Sequence, residues 1–173
     1  MPAFAALLRA VNVGGAGKLA MRDLVTMCAH AGFSSPRTYI ASGNVVFWSD
    51  AGEHDVKAKL EDILETYAGK PVAILVRTAD ELSAVRANNP FPDGSPNKVM
   101  VLFLDEAPSA HDVNSVSGLK NETLHLGKRE IYVHYPDGMG RSKLKIPAAT
   151  RGTARNMNTV AKLAAMAAET TGT

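Results

Sequence analysis

The chain is short of cysteine, of aromatic residues and of net charge, and each shortage excludes something. A single cysteine, Cys28, rules out an internal disulfide framework and any multi-cysteine zinc site. It fits a reducing compartment, so a cytoplasmic location is expected. Met21, Leu24, Val25, Cys28 and Ala31 recur at helical spacing, which makes Cys28 a small buried hydrophobe rather than a reactive thiol. Phe, Trp and Tyr make up only 6% of the chain, and no RRM-like Phe/Tyr motif is present. Nineteen Lys and Arg against 17 Asp and Glu leave a formal charge of +2, and both facts weigh against nucleic acid as a partner. No apolar stretch approaches the roughly 20 residues needed to span a bilayer. The N-terminal MPAFAALLRAVNV has no basic residue before its short apolar run, which Arg9 interrupts, so it reads as a strand and not as a signal peptide.

What is present suffices for a packed core, since 46% of the 173 residues are apolar. Ala3 to Leu8 reads as a buried strand and Ala20 to Ala31 as a helix ended by Gly32. Arg37 to Ala41 and Val45 to Trp48 read as a hairpin turning at Ser42-Gly43-Asn44. Glu53 to Ala68 carries Val56, Leu60, Ile63, Leu64 and Tyr67 on one face of a second helix, which Gly69 ends before a strand from Pro71 to Val76. The order to that point is β-α-β-β-α-β, the ferredoxin-like arrangement. After a short helix near Asp80 to Ala87 and the loop NNPFPDGSPN, a similar order begins again. Val99 to Leu104 is a strand, Ser109 to Val116 a helix, and Glu122 to Leu126 with Arg129 to Tyr135 a hairpin turning at Gly127-Lys128. A glycine-bearing basic loop then leads to a last helix from about Asn158 to Glu169. The fold expected is α+β, with two ferredoxin-like subdomains, residues 1–78 and 79–173, the second incomplete.

Two loops are candidates for holding an anion. RAVNVGGAGK, residues 9–18, leaves a strand and enters a helix, where backbone N–H groups can hold phosphate. It is neither a Walker A loop nor G-x-G-x-x-G, because positions 12 and 20 are Asn and Ala. A turn serving only chain reversal is the favoured reading, with Asn12, Gly14 and Gly15 as a possible second cradle. The other loop, PDGMGRSKLK, offers Arg141, Ser142 and Lys143, and TRGTARN brings Arg151, Arg155 and Asn156 toward the start of the last helix. The charge distribution points the same way. Residues 1–127 hold 11 basic and 14 acidic side chains, whereas residues 128–173 hold 8 and 3. The alternative is a solvated basic loop beside helix-capping residues.

The five histidines make no helical H-x-x-x-H pair, so no metal site is expected. About the second hairpin turn, Thr123, His125, Glu130, Tyr132 and His134 share a face opposite Leu124, Leu126, Ile131 and Val133. That polar face reads as exposed to solvent, or as lining a site with a histidine as acid or base. No G-x-S-x-G elbow occurs, and the carboxylates show no catalytic spacing, so no catalytic residue is assigned.

RAVNVGG, MRDL, RTYIASGNVVF, LVRTADEL, NPFP, REIYVHYPDGMGRSKL and TARNMNTVAKL occur in this order from end to end. Together they resemble the domain-of-unknown-function 1697 family of bacterial proteins. The resemblance implies two ferredoxin-like subdomains and no agreed reaction. The loop 138–144 and Thr153-Ala154-Arg155-Asn156 match family motifs. Members commonly have Gly where this chain has Ala10 and Trp where it has Met157, and many carry a longer helical segment between Leu144 and Thr153. The function expected is therefore the binding of a phosphate-bearing or other anionic small molecule, with no cofactor and no membrane. The alternatives are an enzyme using His134 or His125 at the same pocket, and an interaction module that pairs as a homodimer through an apolar patch around Phe91.

Overall fold

A computed structural model describes residues 3–9, 21–39 and 43–170. The chain divides into two compact units, Met1–Leu82 with Leu163–Thr173, and Ser83–Lys162. The sequence reading places the division at 78/79, four residues earlier, and assigns the whole of the last helix to the second half.

The first unit is built around β1 (Ala3–Leu8), which is apolar throughout and buried along its whole length. It pairs antiparallel with β3 (Asn44–Trp48) on one side and β4 (Ile74–Thr78) on the other. With β2 (Ser34–Thr38) at the edge, the strand order is β2-β3-β1-β4. Side chains alternate across a strand, so Phe4, Ala6 and Leu8 join Val45, Phe47, Ile74 and Val76 on one face. Against that face pack Leu24 and Cys28 of α1 (Met21–His30) and Val56, Leu60 and Leu64 of α2 (Glu53–Ala68). Their spacing of four residues puts each set on one helical stripe. Phe33 and Phe47 stack within this core with ring centroids 4.4 Å apart. Gly69 ends α2 in the left-handed region at φ 74°, where its N–H reaches the Glu65 carbonyl.

Strand β2 begins three residues before the predicted Arg37. Pro36 argues against a strand in the sequence, but an edge position leaves its missing N–H without a ladder partner to disappoint. The register shifts between Ser34 and Arg37, and Ser35 takes φ 55°, so the edge is also bulged.

The second unit repeats the sheet. Its strands are β5 (Val99–Leu104), β6 (Thr123–Leu126), β7 (Glu130–His134) and β8 (Gly152–Asn156), in the antiparallel order β6-β7-β5-β8. Helix α3 (Ala79–Ala87) starts at a capping box in which Glu81 N–H donates to Thr78 Oγ1 and Thr78 N–H donates to Glu81 Oε1. Ser109 and Asp112 form the same device at the start of α4 (Ala110–Asn114). The chain closes with α5 (Met157–Glu169). Both units are thus α+β and of ferredoxin-like type.

Two expectations need correction here. Gly152 to Asn156 is a strand paired with β5, not a run-in to the last helix. The second sheet therefore has four strands like the first, and what it lacks is a helix between its third and fourth strands. Residues 135–151 fill that connection with 3-10 turns at Met139–Arg141 and Pro147–Arg151. The polar face of the second hairpin has the predicted register, Thr123 opposite His134 and His125 opposite Tyr132, but it is exposed to solvent only on β6, at Thr123 and His125, and not on β7. Glu130 and Tyr132 retain 5% and 2% exposure, because the same face continues across β5 as buried Val99, Val101 and Phe103. Tyr132 donates its hydroxyl to the Val85 carbonyl at 2.8 Å, which satisfies the one polar group it buries.

Candidate functional site

On the other face of the second sheet lies a core of Leu102, Leu104, Ile131, Val133, Tyr135 and Ala148. At its margin, two loops close on a cavity of about 550 Å³. One loop runs from Gly118 to Glu122 and contributes Lys120 and Asn121 to the lining; the other runs from Tyr135 to Lys143 and contributes Asp137, Arg141 and Ser142.

Backbone geometry fixes the approach of the two loops. Ser117 and Lys145 exchange both N–H···O=C bonds, at 3.0 and 2.8 Å. Next to this bridge Gly118 has φ 73°, and a Cβ there would lie 2.1 Å from the Lys143 carbonyl oxygen. Only glycine fits both demands. Gly138, at φ 87°, turns the second loop into the Met139–Arg141 turn.

Side chains then tie the walls. Ser142 Oγ donates to Glu122 Oε2 at 2.5 Å while accepting from Leu144 N–H at 3.1 Å. The Lys120 N–H donates to Glu122 Oε1 at 2.8 Å. The Ser142 hydrogen bond, followed by that backbone donor, holds the Glu122 carboxyl below its ordinary value, so it stays ionised. Asn121 Nδ2 donates to Asp137 Oδ2 at 2.7 Å. Tyr135 is buried, and desolvation together with the Glu122 charge pushes its phenol up, so it remains protonated. By contrast, the side chains of Lys120, Arg141 and Lys143 are exposed and make no ion pair or hydrogen bond with a described residue.

A family model described as protein of unknown function (DUF1697) matches residues 1–132. The chain belongs to the DUF1697 family. The DUF1697 match ends three residues before Tyr135, so the whole of the second wall lies beyond it. Among solved structures, the chain is similar to a conserved bacterial protein, SP0830 from Streptococcus pneumoniae. That likeness has a TM-score of 0.81 at 26% identity and covers 96% of this chain and 98% of that one. No curated protein matches.

Within this DUF1697 chain the residues singled out from sequence separate into groups. Arg141, Ser142 and Lys143 line the cavity, whereas Arg151, Arg155 and Asn156 do not. Arg151 pairs with Asp112 at 3.1 Å. Arg155 sits on β8 opposite Val101, retains 8% exposure, and donates to Thr153 Oγ1 and the Ala154 carbonyl at 2.8 and 2.9 Å. Arg155 therefore stands outside the lining that loop 138–144 forms: as a strand residue it shares the sheet face of Val101 and Tyr132. Asn156 Oδ1 accepts the Thr159 N–H at 2.9 Å, so it caps the first turn of α5. Asn12, Gly14 and Gly15 lie outside the described residues.

Neither His125 nor His134 lines the cavity. His134 stacks on Phe91 with centroids 5.4 Å apart, and a Cβ at Gly94 would meet its Nε2 at 2.9 Å, so both the ring and Phe91 are committed to packing. Among the described residues no three metal-ligating side chains gather, and no helix is long and apolar enough to cross a membrane. Sequence reasoning missed Lys120, Asn121, Glu122 and Asp137. The first wall carries no glycine-rich basic signature, and the long-range Ser117–Lys145 bridge, with the Ser142–Glu122 and Asn121–Asp137 contacts, brings it to the second.

Proposed function

We propose that the protein binds a phosphate-bearing or other anionic small molecule in the cavity beside the Gly138–Lys143 loop, with Arg141 and Lys143 as principal donors and Lys120 facing them. The observation that supports this is an asymmetry of commitment. Both carboxylates of the lining are engaged, Glu122 by Ser142 and Asp137 by Asn121, while three cations are not. A guanidinium offers a planar fork that matches phosphate or carboxylate oxygens, and an ammonium adds a point charge. No acid or base is assigned, because the two hairpin histidines stand outside the lining, and this favours binding over an enzyme. The single buried thiol accords with a cytoplasmic setting.

Titration with inorganic phosphate and methyl phosphate, followed by calorimetry, tests the reading. Arg141→Ala should weaken binding by roughly 1–3 kcal/mol, the range for a lost charge-assisted hydrogen bond. Stability should move by about 0.5 kcal/mol or less, since the side chain is exposed. An affinity indifferent to both Arg141→Ala and Lys143→Ala would remove the proposal.

A further inference from the structure

The same cavity holds groups that a bare anion does not use, and resting on the anion-binding reading, we infer that its ligand is a phosphorylated polyol of the sugar-phosphate class, whose hydroxyl groups are read by the Asn121–Asp137 pair. Size argues first. A space of about 550 Å³ falls within the range of sites that enclose molecules of drug size, far beyond what a free phosphate fills.

Charge argues second. Glu122 and Asp137 share the lining with Lys120, Arg141 and Lys143, so an anion filling the cavity would face two carboxylates as well as three cations. Like charges at short range repel, and although Glu122 and Asp137 each have a donor, the Asp137 oxygen not held by Asn121 is costly to leave without one once water is displaced. The ligand must therefore bring donors to the acidic side and negative charge to the basic side.

Hydrogen-bond chemistry argues third. Asp137, when ionised, can only accept, so its 2.7 Å contact with Asn121 requires the amide to present Nδ2. That fixes the amide orientation and leaves the Asn121 Oδ1 carbonyl and Asp137 Oδ1 as acceptors that no described residue occupies within this hydrogen-bonded pair. Two neighbouring acceptors of this kind suit a pair of adjacent hydroxyls. Glu122 is less suited, because Ser142 and the Lys120 N–H already occupy its oxygens.

The test compares D-ribose 5-phosphate, methyl phosphate and 2-aminoethyl phosphate by calorimetry at one ionic strength. The wild-type protein should bind ribose 5-phosphate at least about tenfold tighter than methyl phosphate, the ratio that roughly 1.4 kcal/mol of extra hydrogen bonding produces. Asp137→Ala and Asn121→Ala alter exposed side chains and should each bring ribose 5-phosphate close to methyl phosphate without weakening the latter, which loss of the Asp137 charge can only strengthen; Arg141→Ala should weaken both. Equal affinity for the two ligands, together with a loss on Arg141→Ala, overturns the polyol inference and leaves anion binding standing. A preference for 2-aminoethyl phosphate over ribose 5-phosphate also overturns it, since the acceptors would then be reading an ammonium. Binding of none of the three overturns both.

Discussion

Cys28 sits on α1 with no solvent exposure, and its thiol is pushed up to about 12 because the thiolate would lose its hydration there. Native protein should accordingly resist a thiol reagent that labels the denatured chain within minutes, and fast native labelling would contradict the packing described. A pH dependence follows. The unfolded thiol releases its proton near its ordinary 9.0 and the folded one only near 12, so the unfolded state binds fewer protons between those values. Stability contributed by Cys28 is constant below about 9 and falls as pH rises above it, by up to roughly 1.4 kcal/mol per pH unit. Urea midpoints measured from pH 8 to 10 should decline less steeply in Cys28→Ala than in the wild type.

Arg155 gives a contrasting residue. Burial pulls its guanidinium down to about 10, and it holds Thr153 and the Ala154 carbonyl. Arg155→Ala should destabilise the fold by roughly 1–3 kcal/mol through unmet buried partners while leaving phosphate affinity nearly intact. That is the opposite of the pattern expected for Arg141→Ala. Chemical denaturation and calorimetry on the two variants separate the roles. The sequence treats these arginines alike because both are basic residues near glycines; only the strand assignment of Gly152–Asn156 distinguishes them.

At the scale of elements, most of the first unit is legible from its pattern. The β1 run, the four-residue spacing on α2 and the glycines at positions 32 and 69 are strong local signals. Strand β8 is not. Five residues reading Gly-Thr-Ala-Arg-Asn have no apolar alternation, and the strand exists because the β5 edge offers it a ladder. Gly152 is where that pairing is tightest, since a Cβ there would meet the Phe103 carbonyl oxygen at 2.1 Å. Gly152→Ala should force β8 away from β5 and cost on the order of 1–3 kcal/mol, or more if the strand detaches. A wild-type unfolding midpoint in Gly152→Ala would mean that the pairing is looser than described. The cavity was half legible for a similar reason: the basic loop announces itself by composition, but the opposing wall is set by a long-range backbone bridge that no local window contains.

For the molecule as a whole, charge separates the two units. Met1–Leu82 with Leu163–Thr173 holds 8 basic and 10 acidic side chains, while Ser83–Lys162 holds 11 and 7. Phosphate titrated into labelled protein should therefore shift backbone amide resonances of residues 118–143 and leave β1 through β4 unmoved. The response should weaken as salt is raised from roughly 0.05 to 0.5 M, because the three cations are exposed to screening. Shifts centred on the first unit would move the binding reading elsewhere.

The first unit is discontinuous, and that has a consequence for the order in which the protein is made. Arg37, on the edge strand β2, donates to the Met166 carbonyl at 3.1 Å and meets Glu169 at 3.4 Å, so the closing segment of that unit is drawn from α5. A ribosome delivers the four strands of the first sheet long before Leu163 emerges. The second unit, continuous from Ser83 to Lys162, is by then already complete. The part of the protein that is synthesised first is thus the part that must wait longest for its last piece.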